Sequence, residues 1–348
     1  MNGFPNSYGP GNPYGNNPVY SDYGYGQFYD YEKKKRDKRN IRKLGLYAGA
    51  ALILYILVQY AMVLLLEVFA SVELYTENEL FQCAFDIILT IFGMYLPFAF
   101  MGKKMQKISR IPDPVPLGRP ESPFITFLAV VAGLGLCMIA NYVTSFITVF
   151  MSVFGFKLSS PDLAMPSGIL GVTLTVARIA VVAAVVEELS HRGYVMGNLR
   201  KYGDVFAITM SAFVFAFMHG NLIQAPFALV AGFGLGYFSV KTNSLWTGII
   251  IHFCNNLISV SVSYLTDIVD ENILNAIYGC LIFVLIGCGI LCFVVFNSKT
   301  KHIVLKKNQT SLSTGECVVN FLFSPTMIVS MIYMLYVTAT FIQKNTAG

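Results

Sequence analysis

Three short clusters hold the side chains whose types and spacing suit acid–base chemistry. They are Glu187-Glu188-Leu189-Ser190-His191-Arg192, Phe215-Ala216-Phe217-Met218-His219 and His252-Phe253-Cys254-Asn255-Asn256. Each lies within residues otherwise fit for a lipid interior, where an ionised group at a helix centre costs roughly 2.5–3.5 kcal/mol on insertion scales. Of the four histidines in the chain, His191, His219 and His252 all fall in this stretch and His302 sits among lysines. A chain that repeatedly bears that cost in one region points to a buried polar site that it uses.

Helical spacing sets the partners. Glu187 lies four residues before His191 and Glu188 four before Arg192, so each carboxylate has a basic neighbour on its own face. A Glu188–Arg192 pair neutralises one charge and leaves Glu187 able to exchange a proton, as a general base for water requires. His252 and Asn256 share a face by the same i,i+4 rule. Two chemistries fit these residues. Glu and His can activate water directly while His252 and Asn256 donate hydrogen bonds to a developing oxyanion. Alternatively His219, His252 and Glu187 hold a divalent metal such as zinc, which polarises the water. The chain has no HExxH helix, the strongest local metal signature. Cys254 projects about 200° from His252 at 100° per residue, off the His252–Asn256 face, which disfavours it as a nucleophile.

The elements that position these residues are membrane helices. The chain is 55% apolar and 12% charged, with mean hydropathy +0.61, far from the composition of a soluble domain. Apolar runs near 20 residues recur, each long enough to cross a hydrocarbon core of about 30 Å. The pattern predicts an all-α, polytopic membrane helical bundle of about eight to nine transmembrane helices. Spans are expected near 44–66, 84–101, 124–150, 169–203, 205–219, 226–241, 246–265 and 273–296, with a last apolar run at 318–342 broken by Ser324-Pro325. Lys33 to Lys43, Lys103 to Arg110 and Lys299 to Lys307 fall between spans on one side, and Glu67 to Glu79 and Asp267 to Glu271 on the other. The positive-inside rule therefore places the N-terminus in the cytoplasm, in a multi-pass protein of the cell membrane. The Gly203 turn sets Glu188 and His219 at similar depth on two antiparallel helices.

The seven cysteines are odd in number and mostly lie in apolar runs, so neither a disulfide framework nor a CxxC metal pair follows. The organisation expected is a Gly/Tyr/Pro-rich disordered tail with a basic juxtamembrane cluster (1–43), N-terminal spans (44–156), a core carrying the polar clusters (169–265) and C-terminal spans (266–348).

EExxxR, then FxxxH, then HxxxN on successive membrane helices resembles the CPBP family. These are the type II CAAX prenyl endopeptidases and bacteriocin-processing or immunity proteins, intramembrane proteases of the Abi type. The matching residues are Glu187, Glu188 and Arg192; Phe215 and His219; His252 and Asn256. The resemblance implies a metalloprotease or glutamic protease in which Glu187 and His219 activate water and His252 and Asn256 form the oxyanion site. His191 departs from the family, which usually carries an aromatic residue there. The expected partners are the lipid bilayer and a peptide or protein substrate, lipidated or not, cut near the cytoplasmic side; nucleic acid is not expected. Two other readings keep the same residues: a non-catalytic immunity or peptide-binding scaffold, and a proton-coupled transporter.

Overall fold

The computed structural model describes residues 23–69, 72–120 and 122–344. The expected disordered tail lies outside the described residues up to position 22. From there the chain departs from expectation, because the first helix, α1 (Tyr23–Val68), already contains the whole basic cluster. The charges therefore belong to the same rod as the first span.

The chain continues through α2 (Val72–Glu77), α3 (Glu79–Ser109), α4 (Pro123–Val153), α5 (Gly168–Tyr202), α6 (Asp204–Met218), α7 (Ala225–Thr242), α8 (Leu245–Leu265), α9 (Glu271–Lys299), α10 (Thr314–Leu322) and α11 (Pro325–Thr340). Local chemistry sets the boundaries. Asn78, Ser122 and Asp270 each accept a backbone N–H of the first turn that follows, as capping residues do. The Pro112–Pro116 segment is not helical, and Gly203, at φ 103°, turns the chain where only glycine is comfortable.

Among the described residues, six helices are long and apolar enough to cross a membrane: α3, α4, α5, α8, α9 and the stretch Asp30–Val68 of α1. The pair α10 and α11, bent by 70° at the expected Ser324-Pro325 break, makes up to seven. The eight to nine expected from sequence counted α6 and α7 as separate spans. At 15 residues α6 rises only about 22 Å, short of a full hydrocarbon core, and most of its side chains are buried against protein. It forms with α7 an inner hairpin that packs against α4 and α5.

Contacts between connections define two faces. On one, Asp37 accepts from Ser311 N at 3.1 Å, Asp204 from Lys306 N at 2.8 Å, and Lys241 Nζ donates to the carbonyls of Thr300 and Ile303. This basic face gathers the lysines and arginines near 33–43, 103–110, 200–201 and 299–307. On the opposite face Tyr264 donates to Pro166 O at 2.9 Å, Ser159 N to Phe341 O at 3.0 Å, and β1 (Phe156–Leu158) pairs antiparallel with β2 (Ile342–Lys344). The acidic connections near 67–79 and 267–271 flank this side, with Lys157 and Lys344 as its basic residues. The bent pair starts at the basic face and ends at the acidic one, so it joins the two.

Large apolar side chains cover the outside of α9, where Phe283 and Leu291 are exposed, as lipid-facing helices require. Inside, Val186, Val195 and Met196 of α5 pack with Phe206, Phe215 and Met218 of α6 and with Leu44, Leu52 and Phe98. A second core joins Leu128, Ala132 and Met138 of α4 to Leu235, Phe238, Ile251 and Phe296. The polar clusters sit at the seam between these cores.

Candidate active site

The helix that carries both glutamates is not uniform. Ala183–Glu188 is an α-helical turn set between two π-helical stretches, Val176–Val182 and Leu189–Met196. Such widened turns recur at functional sites because they change which side chains share a face. Here they leave the local i,i+4 geometry of Glu188 and Arg192 intact and rotate it relative to the rest of the helix.

Glu188 and Arg192 form the expected pair, Nη1 to Oε1 at 2.9 Å, and both side chains are fully buried. The same Oε1 lies 3.1 Å from His252 Nδ1. A carboxylate only accepts, so His252 donates from Nδ1 and, when neutral, carries its lone pair on Nε2. That Nε2 lies 3.6 Å from Oε2 of Glu187. The imidazole therefore touches both neighbouring carboxylates with its two nitrogens. The expected contact between the Glu187 carboxylate and His191 is absent: His191 Nδ1 lies instead 2.9 Å from the backbone carbonyl of Glu187. The His191 ring packs between Phe98 and Phe215, with centroids 4.9 and 5.1 Å away. It occupies its position as an aromatic ring.

His219 closes the end of α6. Its Nδ1 donates to Phe215 O at 2.8 Å, which turns Nε2 toward the site. The turn beyond is built by Asn221, fully buried, which donates to His219 O at 2.9 Å and accepts from the amides of Ile223 and Gln224. Gly220 makes this turn possible at φ 61°. Asn256 donates to Ile179 O at 2.9 Å and accepts from Asn255 Nδ2 at 3.2 Å. An amide nitrogen has two protons, so one donor of Asn256 remains.

A cavity of about 780 Å³ is lined by Glu187, His219, His252 and Asn256. Glu188 and Arg192 do not line it. They stand behind His252, and Arg192 lines a separate recess of about 540 Å³ under the basic face, with Arg200, Lys201 and Lys306. The six residues singled out in the sequence thus come together but divide into two sets: Glu187, His219, His252 and Asn256 face the cavity, and Glu188 and Arg192 support it.

Phe215, the aromatic residue of the FxxxH motif, lies 4.3 Å from the Arg192 guanidinium and 4.9 and 6.0 Å from the rings of His219 and His252. Two participants escaped the sequence reading. Asp86 and Arg178 line the far end of the cavity, with Arg178 Nη1 2.7 Å from Asp86 Oδ2 and Nη2 2.6 Å from Ala164 O. For Asp86 and Arg178 the signal was available as a lone charge inside an apolar run.

Residues 169–258 match the family model described as type II CAAX prenyl endopeptidase Rce1-like. This segment contains all six site residues. The match spans 90 of the 348 residues and agrees with the CPBP resemblance of the three motifs. No curated protein and no solved structure matches the chain.

The zinc set expected from sequence meets one requirement and misses another. His219 and His252 each donate Nδ1–H to an acceptor and free Nε2, the tautomer pattern of metal-binding imidazoles. Yet among the described residues no three His, Cys, Asp or Glu side chains are grouped to hold an ion. Glu187, His219 and His252 offer suitable atoms without the spacing of a ligand set.

Proposed function

We propose that the protein is a membrane-embedded endopeptidase in which Glu187 activates water for attack on a peptide bond. The observation that carries this reading is the split between the two adjacent glutamates. Glu188 is fully buried and engaged by Arg192 and His252, whereas the Glu187 carboxylate faces the 780 Å³ cavity beside His252 Nε2.

A water held between Glu187 and the free nitrogen of His219 gives its proton to Glu187 as its oxygen attacks the carbonyl carbon of the peptide. The tetrahedral oxyanion is met by the remaining amide proton of Asn256 and by His252 when protonated on Nε2. Glu188 stabilises that protonated ring through Nδ1. As the C–N bond breaks, Glu187 returns the proton to the leaving amine, so the two products carry together the atoms of peptide and water. No step passes through a metal. The Rce1-like match and the motif resemblance support a membrane-associated peptide, prenylated or bacteriocin-like, as the substrate.

The test is hydrolysis of a peptide pool, prenylated and unprenylated, by purified protein in detergent, with and without chelator. Glu187→Gln and His219→Ala should each abolish cleavage while the protein stays folded. Full activity in Glu187→Gln would overturn the assignment of the base. Activity lost to chelator and restored by zinc would bring a metal into the mechanism. Peptide binding without cleavage by the unaltered protein would favour a scaffold or immunity role.

A further inference from the structure

The cavity that reaches Glu187 runs toward one face of the protein and is closed toward the other. From Glu187 it passes Asn256 to Arg178, about 13 Å along α5 at 1.5 Å per residue, and on to Asp86 near the start of α3. It also touches Leu163, in the connection before α5, and Gln224, in the turn after His219. Ala164, next to Leu163, accepts a hydrogen bond from Arg178, and Pro166 accepts one from Tyr264. Both belong to the acidic face.

In the other direction the path is blocked. Glu188, His191 and Arg192 are fully buried directly behind the cavity floor, with Phe98 and Phe215 packed around them. The recess under the basic face ends on Arg192 without reaching Glu187. Basic connections mark the cytoplasmic side of a membrane protein, so the open end of the catalytic cavity is the non-cytoplasmic end.

We infer that the scissile peptide is delivered to Glu187 from the non-cytoplasmic side. The substrate is then an exported peptide, or a segment of another membrane protein lying at the outer leaflet. The sequence led to the expectation of a cut near the cytoplasmic side, with the substrate entering laterally or from the cytoplasm; the cavity points to the other side. The reason is physical: helix spacing places Glu187 and His219 at one depth, but only packing decides on which side of them the space is left. The cavity wall suits a polypeptide in extended conformation, because Asn141, Thr144, Gln224 and Asn255 supply side-chain donors and acceptors at intervals along it. The identity of the substrate rests on the peptidase reading; the direction of approach rests on the cavity and on which face carries the basic connections.

Accessibility of introduced cysteines tests the direction without reference to activity. Ser145 and Ser259 line the cavity and are exposed to it, and Gln309 lines the recess under the basic face. Ser145→Cys, Ser259→Cys and Gln309→Cys would be expressed in a bacterial host and treated with a membrane-impermeant maleimide, in intact cells and in inverted vesicles, with the unaltered protein as background. The expected result is labelling of Ser145→Cys and Ser259→Cys at least fivefold above background in cells, and of Gln309→Cys only in inverted vesicles. Labelling of both cavity positions from inverted vesicles alone, or from neither side while Gln309→Cys reacts as expected, would overturn the inference. Hydrolysis by the purified protein is scored separately. Cleavage combined with cytoplasmic labelling removes the direction and keeps the peptidase, and outer labelling without cleavage does the reverse.

Discussion

His252 donates Nδ1–H to Glu188 at 3.1 Å and holds Nε2 3.6 Å from Glu187. One imidazole thus bridges two consecutive carboxylates that leave the helix about 100° apart. Glu188 fixes the ring's tautomer, and its second partner, Arg192, is buried with it. Replacing Glu188 by Gln removes the charge that both partners face. Breaking a buried ion pair from one side costs about 3–5 kcal/mol. Glu188→Gln should therefore lower the unfolding temperature and abolish hydrolysis, whereas Glu187→Gln abolishes hydrolysis alone. Thermal unfolding in detergent, read beside peptide cleavage, checks the contrast; equal stability of the two variants would contradict it.

Asn221 acts on the chemistry through His219. Its side chain joins the His219 carbonyl to the first turn of α7 through one donated and two accepted backbone bonds. Each such bond contributes about 0.5–1.5 kcal/mol net, so Asn221→Ala, which loses all three, should lose roughly 1.5–4.5 kcal/mol of local order in that turn. The expected readout is a fall in kcat of about tenfold with little change in KM, since a turn that no longer fixes His219 lowers rate before it lowers binding. Asn221→Asp keeps the two accepting contacts and should recover part of the rate. An unchanged kcat in Asn221→Ala would remove the positioning role.

The parts of this site that were legible in the sequence are those set by local helix geometry. Glu188 and Arg192 meet because they are four residues apart on one helix, and Gly203 turns the chain because glycine tolerates φ 103°. What sequence did not give depends on contacts across the bundle. His252 could be placed beside Asn256 by spacing, but its bond to Glu188 joins positions 64 residues apart. The i,i+4 rule also suggested that His191 serves the Glu187 carboxylate, while the π-helical stretch and the rings of Phe98 and Phe215 draw it to the Glu187 carbonyl instead. Similarly, α6 is apolar enough to resemble a span and is buried by protein.

His191 fills an aromatic position, and its buried Nε2 has no hydrogen-bond partner among the described residues. Removing an unsatisfied buried polar atom can be neutral or stabilising when shape is kept. His191→Phe should consequently retain peptide cleavage within about threefold and an unfolding temperature no lower than that of the unaltered protein. His191→Ala opens a cavity between Phe98 and Phe215 and should lose about 2–4 kcal/mol, in the range of large core truncations. Loss of cleavage in a stable His191→Phe would assign this ring a chemical role.

Arg178 and Asp86 give the last prediction. Their pair closes the wall of the cavity farthest from Glu187 and ties α3 to α5, and Tyr75 adds a bond to the second carboxylate oxygen at 3.0 Å. Arg178 is almost completely buried, so removing Asp86 alone leaves a guanidinium with one carbonyl partner inside an apolar wall. Asp86→Asn should destabilise the protein, and Arg178→Gln in the same chain should restore part of the loss, because both charges then vanish together. A double-mutant cycle on unfolding in detergent reads this coupling directly, and additive losses would contradict it. Because the pair lies along the substrate path and away from Glu187, any folded variant should raise KM while leaving kcat within about twofold. A selective fall in kcat would instead tie the pair to the reacting groups.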